Sequence, residues 1–181
     1  MSLTQGVESI KLSKGFLDTC IQLGECKSRE EEEKIVTRWM TAVKYYLSQP
    51  KVESKKIYEN VAALIHLTLL GYNMEFGYIH AINLTQDQRP MMKGVGYITC
   101  SAVFDPTSDL IIMIINSAQK DLASNEPLKM SFALSAIMQL ITSDLIPSIS
   151  SYVVAALAHS VPYVRQKAIM TLHSFILKDP S

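Results

Sequence analysis

The sequence has no excess of charge of either sign: 17 Lys and Arg residues balance 17 Asp and Glu. A neutral chain lacks the general attraction to nucleic acid or to an anionic membrane that a basic chain has, so such binding must come from a local cluster. Cysteine is scarce. Cys20, Cys26 and Cys100 are odd in number and match no zinc or redox spacing, which favours reduced thiols. The four histidines, His66, His80, His159 and His173, form no metal-ligand pattern with Cys, Asp or Glu. Long apolar runs are also missing. The stretch at 110–115 is far too short to span a bilayer, and residues 1–11 lack the apolar core of a signal peptide. No Gly-x-Ser-x-Gly or other nucleophile–base arrangement occurs. Gly94-x-Gly96 lacks the further glycine or lysine of a phosphate loop, and close helix packing accounts for it better. These absences predict a soluble, intracellular, non-enzymatic chain with no metal, no cofactor and no nucleic-acid partner.

What the chain does have is apolar residues, 48% of the total, arranged with helical rather than strand periodicity. Residues 1–10 read as a flexible leader and 11–181 as one trunk. A first helix is expected over 12–23, stopped at Gly24. Ser28 and Glu31 form a capping box for the second, and Glu30, Glu31, Glu32 and Glu33 suit the positive end of its dipole. Val36, Met40, Val43 and Leu47 then form an apolar stripe that Trp39 joins, and Pro50 ends the element. A third helix is expected over 54–70 with Gly71 as its C-terminal cap, apolar nearly all round from residue 61, followed by a short one over 77–84. Pro90 opens a helix reaching Phe104, and Asp105-Pro106 breaks it. Thr107 or Ser108 caps the next, through Leu110, Ile114 and Leu122. Further helices start at Pro127, Pro147 and Pro162 and run to about Ile141, Ala158 and Lys178.

Short links between such helices demand antiparallel neighbours. A repeat signal favours a stacked array over a closed bundle. Val164, Ala168 and Leu172 share one face, with the small Ala168 admitting a close neighbour and Arg165 off the face, free to cap carbonyls or reach an acid. Small-then-larger pairs recur upstream: Ala133 with Ile137 lies 35 residues earlier, Gly96 with Cys100 another 37, and Ala63 with Leu67 another 33. Periods of this size are those of helix-pair repeats, each of which buries its apolar face only by stacking on the next. The predicted fold class is therefore all-α, a HEAT/armadillo-like helical-repeat solenoid. On the last predicted helix, Ile169, Phe175, Ile176 and Leu177 leave apolar surface, which predicts self-association through the C-terminal helices. One charge cluster stands out: Lys27 and Arg29 flank the start of the second helix, and Lys51, Lys55 and Lys56 that of the third. If those helix ends lie side by side the charges converge on an anion; otherwise they are a solvated surface.

Several segments resemble the large adaptin subunits of vesicle-coat adaptor complexes. They are Leu70-Gly71-Tyr72 with Phe76-Gly77-Tyr78-Ile79-His80-Ala81, then Lys93-Gly94-Val95-Gly96-Tyr97, then Asn116-Ser117 with Lys120-Asp121-Leu122, and finally Val164-Arg165-Gln166-Lys167-Ala168 with Met170 to His173. The similarity runs in order over nearly the whole chain. Phe76 to Ala81 and Gln119 to Leu122 look most like the epsilon type of adaptor protein complex four. The resemblance implies a curved trunk of helical repeats that assembles with beta-type large, mu-type medium and sigma-type small subunits. It implies recruitment by an Arf-type GTPase to trans-Golgi network or endosomal membranes. It also implies that the chain is an N-terminal fragment stopping mid-solenoid, without an appendage. Ser54-Lys55-Lys56-Ile57-Tyr58 is similar to a phosphoinositide-binding stretch of alpha-type subunits, with Ile57 in place of a lysine, so Lys27, Lys55 and Lys56 are the candidate lipid-headgroup residues. At the stretch that in alpha types helps read acidic dileucine signals, Gly24 replaces the arginine and Glu25 adds a negative charge, which speaks against that role. The alternative reading is a HEAT-type scaffold or transport receptor unrelated to coats.

Overall fold

A computed structural model describes residues 13–49 and 53–179, with the side chains of Ser54 and Lys55 left out. The leader, Pro50, Lys51 and Pro180 lie outside the described residues. Every regular element among the described residues is helical. The chain divides into two compact units, with the boundary after Met74.

The first unit holds α1 (Lys14–Gly24), α2 (Arg29–Leu47) and α3 (Ser54–Leu69). The Ser13 hydroxyl caps α1 by accepting from the Phe16 N–H at 3.3 Å. At α2 the Ser28 hydroxyl accepts from the Glu31 N–H at 3.2 Å, and the Glu31 carboxylate accepts from the Lys27 N–H, also at 3.2 Å. This is the predicted capping box with its return bond shifted by one residue. Val36, Trp39 and Val43 form the buried stripe of α2, whereas Met40 and Leu47 are only half-buried. Trp39 takes the core position instead. It meets the Phe16 ring edge-on at 5.5 Å and the His66 ring at 6.0 Å, joining all three helices. Gly71 ends α3 at φ +90°, a conformation that only glycine adopts cheaply. Its N–H donates to the Thr68 carbonyl and that of Tyr72 to the Leu67 carbonyl, so two otherwise orphan acceptors are satisfied.

The second unit holds α4 (Tyr78–Thr85), α5 (Pro90–Val103), α6 (Ile111–Ala123), α7 (Pro127–Leu140), α8 (Ile146–Ala156) and α9 (Pro162–Lys178). Short 3₁₀ turns at Glu75–Gly77 and Ser143–Leu145 precede α4 and α8. The hairpins are α4/α5, α6/α7 and α8/α9. Across hairpins α5 packs on α7 and α7 on α9, while α4 packs on α6 and α6 on α8. This is a two-layer stack of helix pairs, as the repeat signal predicts. Pro90, Pro127 and Pro162 each occupy the first turn of the second helix of a pair, where a missing N–H costs nothing.

Ala133, Ile137 and Ala168 are buried in the α5–α7–α9 layer, and Leu172 is half-buried. A Cβ at Gly96 would stand 2.5 Å from the Thr85 backbone nitrogen, and one at Gly94 2.5 Å from the Phe132 ring. Those glycines therefore let α4 and α7 approach α5. Three details differ from expectation. Neither Thr107 nor Ser108 caps α6 in the predicted way. Leu110 is the capping residue with no side-chain bond, and Thr107 instead donates its N–H and hydroxyl to Asp105 at 2.8 and 2.6 Å. The α8 helix begins one residue before Pro147 and ends at Ala156. Phe175 is buried, so it does not belong to the exposed face of α9.

Candidate functional site

The candidate lysines sit on the α2/α3 hairpin. Because neighbouring helices run antiparallel, the start of α2 lies beside the end of α3. Lys27 lines a shallow depression with Ser28, Arg29, Leu70 and Tyr72, where the Tyr72 hydroxyl donates to Glu32 at 2.8 Å. Lys56 lies at the other end, 5.5 Å from the centre of the Tyr46 ring. The 19 residues of α2, at about 1.5 Å each, span about 28 Å. The structure thus brings Lys56 to the end of α2 and leaves Lys27 at its start. Lys55 is on the first turn of α3, with its side chain outside the described residues.

Around Lys56 a compact corner forms. Its Nζ donates to Glu59 Oε2 at 2.8 Å, one turn on along α3. The other Glu59 oxygen accepts from the Ser13 backbone N–H at 2.6 Å, tying the start of α1 to α3. Glu59 is buried, and burial by itself pushes its carboxyl up. The Lys56 ammonium and the Ser13 hydrogen bonds outweigh that, and the net shift is downward. The hydrogen bond to Glu59 holds the Lys56 ammonium above the ordinary lysine range. Sequence reasoning picked out Lys56 and missed Glu59, although its place one turn after Lys56 was visible.

A second polar cluster lies inside the helix stack. Lys93 Nζ on α5 donates to the Thr85 carbonyl at the end of α4 at 2.5 Å and meets Asp121 Oδ1 on α6 at 2.9 Å. The Tyr97 hydroxyl donates to Asp121 Oδ2 at 2.6 Å. All three side chains are buried, and burial first, then Asp121, drives the phenol far above the ordinary tyrosine range. The Lys93 ammonium satisfies a carbonyl that the end of α4 would leave orphaned, and Asp121 answers its charge. Similar ties recur along the stack. Lys178 caps the end of α7 by donating to the Ile141 carbonyl at 2.6 Å, and Arg165 donates to the His159 and Ser160 carbonyls at 2.8 and 2.9 Å.

These groups tie helix ends and turns together. The Cys100 thiol is buried and pushed up to about 12, which makes it a poor nucleophile. His159 is buried and its Nδ1 accepts from the Val161 N–H at 3.1 Å, fixing the turn before α9. Among the described residues no group of His, Cys, Asp or Glu could hold a metal ion, and no helix is long and apolar enough to cross a membrane. On the outward face of α9, Ile169, Met170, Ile176 and Leu177 are exposed, with Ile176 and Leu177 at 64% and 69%.

Residues 33–181 match the family model described as the adaptin N terminal region. Among curated proteins, the AP-4 complex subunit epsilon of Arabidopsis thaliana is 39% identical over 169 residues, covering 93% of this chain and 18% of that protein. The AP-4 complex subunit epsilon-1 of Homo sapiens is 33% identical over 154 residues, covering 85% and 14%. The AP-3 complex subunit delta-1 of Bos taurus is 25% identical over 179 residues, covering 95% and 15%. The chain spans less than a fifth of the length of the curated relatives it matches. On the family match over most of its length, with helix pairs stacked around the residues of its recurring motifs, the chain belongs to the adaptin N-terminal-region family.

Proposed function

We propose that the chain is a scaffold segment of the large subunit of a heterotetrameric vesicle-coat adaptor. It serves vesicle-mediated protein transport and cargo sorting through contacts, without catalysis. The observation that carries this reading is the family match over residues 33–181, joined by relatives named as AP-4 and AP-3 subunits. The buried Lys93–Asp121–Tyr97 cluster supports it, because it gives a structural purpose to two of the segments that resemble large adaptins, Lys93 to Tyr97 and Lys120 to Leu122. A helical-repeat transport receptor unrelated to coats is not favoured by relatives with those names.

In this reading the partners are beta-type large, mu-type medium and sigma-type small subunits. An Arf-type GTPase recruits the assembly from the cytoplasm to the trans-Golgi network or endosomes. The α2/α3 hairpin touches the anionic membrane, with Lys55 and Lys56 at one end and Lys27 at the other. Glu30 to Glu33 lower the potential around Lys27, and Glu53 and Glu59 lower it around Lys56. Each lysine at an anionic leaflet contributes about 1 kcal/mol, so three supply about 3 kcal/mol, which alone is weaker than millimolar binding. Recruitment therefore rests on protein partners, with the lysines adding to avidity. The exposed apolar face of α9 makes the isolated chain self-associate, which sedimentation velocity at rising concentration reads directly.

The test of the reading is the location of the tagged parent protein in cells. It should sit on trans-Golgi or endosomal membranes, come off in a salt wash and disperse when Arf-type GTPases are inactivated. A diffuse or nuclear distribution indifferent to that inactivation would count against it.

A further inference from the structure

The corner at the start of α3 already holds an anion of the chain's own. Glu59 is 5% exposed, and its carboxylate takes the place at Lys56 that an incoming anion would need. The carboxylate is held by two bonds, the Lys56 ammonium at 2.8 Å and the Ser13 N–H at 2.6 Å, so it does not swing freely into solvent. Lys56 is held too, by Glu59 and by the Tyr46 ring. Its side chain is 38% exposed, so the ammonium can be approached from outside while its charge is answered from within. Glu53, exposed at the cap of α3, adds a second negative charge nearby.

We propose that Glu59 is a built-in counter-anion that keeps Lys56 out of service toward anionic headgroups, setting the membrane affinity of this corner low. The proposal rests on the membrane contact put forward above. Its consequence is a coat subunit that a membrane alone does not recruit. Without Glu59, Lys56 would add one more lysine's attraction to any anionic leaflet; with Glu59 in place the subunit depends all the more on its protein partners.

The chemistry supplies a clean variant. Glu59→Gln keeps an amide oxygen for the Ser13 N–H and so preserves the tie between α1 and α3. It removes only the charge that answers Lys56. Glu59→Asp keeps the charge and controls for altered packing. Sedimentation with phosphatidylcholine vesicles, with and without phosphatidylserine, reads the membrane arm at low salt. Titration with inorganic phosphate, followed at the Ser13 amide by NMR, reads the anion arm.

Glu59→Gln should raise partitioning onto the anionic vesicles about fivefold, the increment of one freed lysine. It should also raise phosphate affinity at the Ser13 amide. Glu59→Asp should raise neither. The double variant Lys56→Gln with Glu59→Gln removes a pair of zero net charge and should match the wild type. Vesicle binding by the wild type that Glu59→Gln leaves unchanged, with its melting temperature intact, would overturn the proposal and spare the membrane reading. A several-fold loss in the double variant would also overturn it, since Lys56 would then be engaged already; that arm decides the matter if Glu59→Gln alone does not fold. A gain in phosphate affinity without vesicle binding by any variant would support the counter-anion and sink the membrane contact. No response in either arm would overturn both.

Discussion

Replacing Asp121 by Asn tests whether the inner polar cluster holds the stack together. Asp121 uses both oxygens, one for the Lys93 ammonium at 2.9 Å and one for the Tyr97 hydroxyl at 2.6 Å. Asparagine keeps one acceptor and turns the other into a donor. If the oxygen stays with Tyr97, an NH₂ faces the ammonium, and Lys93 is left buried with only the Thr85 carbonyl. An uncompensated charge at a site 7% exposed costs about 3–5 kcal/mol. Tyr97→Phe removes one hydrogen bond to a charged group and should cost about 1.5–3 kcal/mol. The double variant Lys93→Met with Asp121→Leu removes both charges and should be less destabilised than either single change, because no lone charge remains. Urea unfolding followed by circular dichroism measures these variants together with the single changes Lys93→Met and Asp121→Leu. A cost below about 1 kcal/mol for Asp121→Asn, or additive costs in the double variant, would refute the reasoning.

Gly96→Ala should destabilise despite the roughly 1 kcal/mol gain in helix propensity, because its Cβ meets Thr85 and Leu84 backbone atoms at 2.5 and 2.7 Å. Gly94→Ala meets the edge of the Phe132 ring, which can turn, so it should lower the melting temperature less. Ala133→Leu and Ala168→Leu, both at sites with no exposure, should each cost about 1–3 kcal/mol by overpacking, and unchanged melting of both would contradict the stacked array. The Glu59 carboxyl is shifted down on folding, so its stabilisation is full above its unfolded value of about 4.3. That stabilisation is lost as pH falls through the lower folded value. The stability gap between wild type and Glu59→Gln should therefore be constant near neutrality and close below about pH 4, as thermal melts across pH would record.

Much of the fold could be read from residues that act locally. Prolines at 90, 127 and 162 mark helix starts because the missing N–H restricts them to the first turn. Gly71 and the Ser28–Glu31 pair mark an end and a start for equally local reasons. Gly94 and Gly96 were legible as packing glycines, although their partners on α7 and α4 were not, since those are set by how the pairs stack. The polar interior was the hardest part. Lysine and aspartate ordinarily face solvent, so residue type alone does not place Lys93 and Asp121 where three helices close around them. One signal was available: Lys93 is the only charged residue in the otherwise uncharged α5. The separation of Lys27 from Lys56 follows from the antiparallel packing that the short links themselves demanded. Adjacent helices present opposite ends, so two helix starts in succession do not meet.

The central claim, that this chain is the scaffold segment of an adaptor large subunit, is tested most directly by co-expression. The chain is produced alone and together with sigma-type small and beta-type large subunits, with a tag on the chain only. These subunits should co-purify with it in fixed proportion, and the complex should elute as one species by size exclusion. Recovery of the folded chain without either subunit, under conditions where the two are soluble, would contradict the claim.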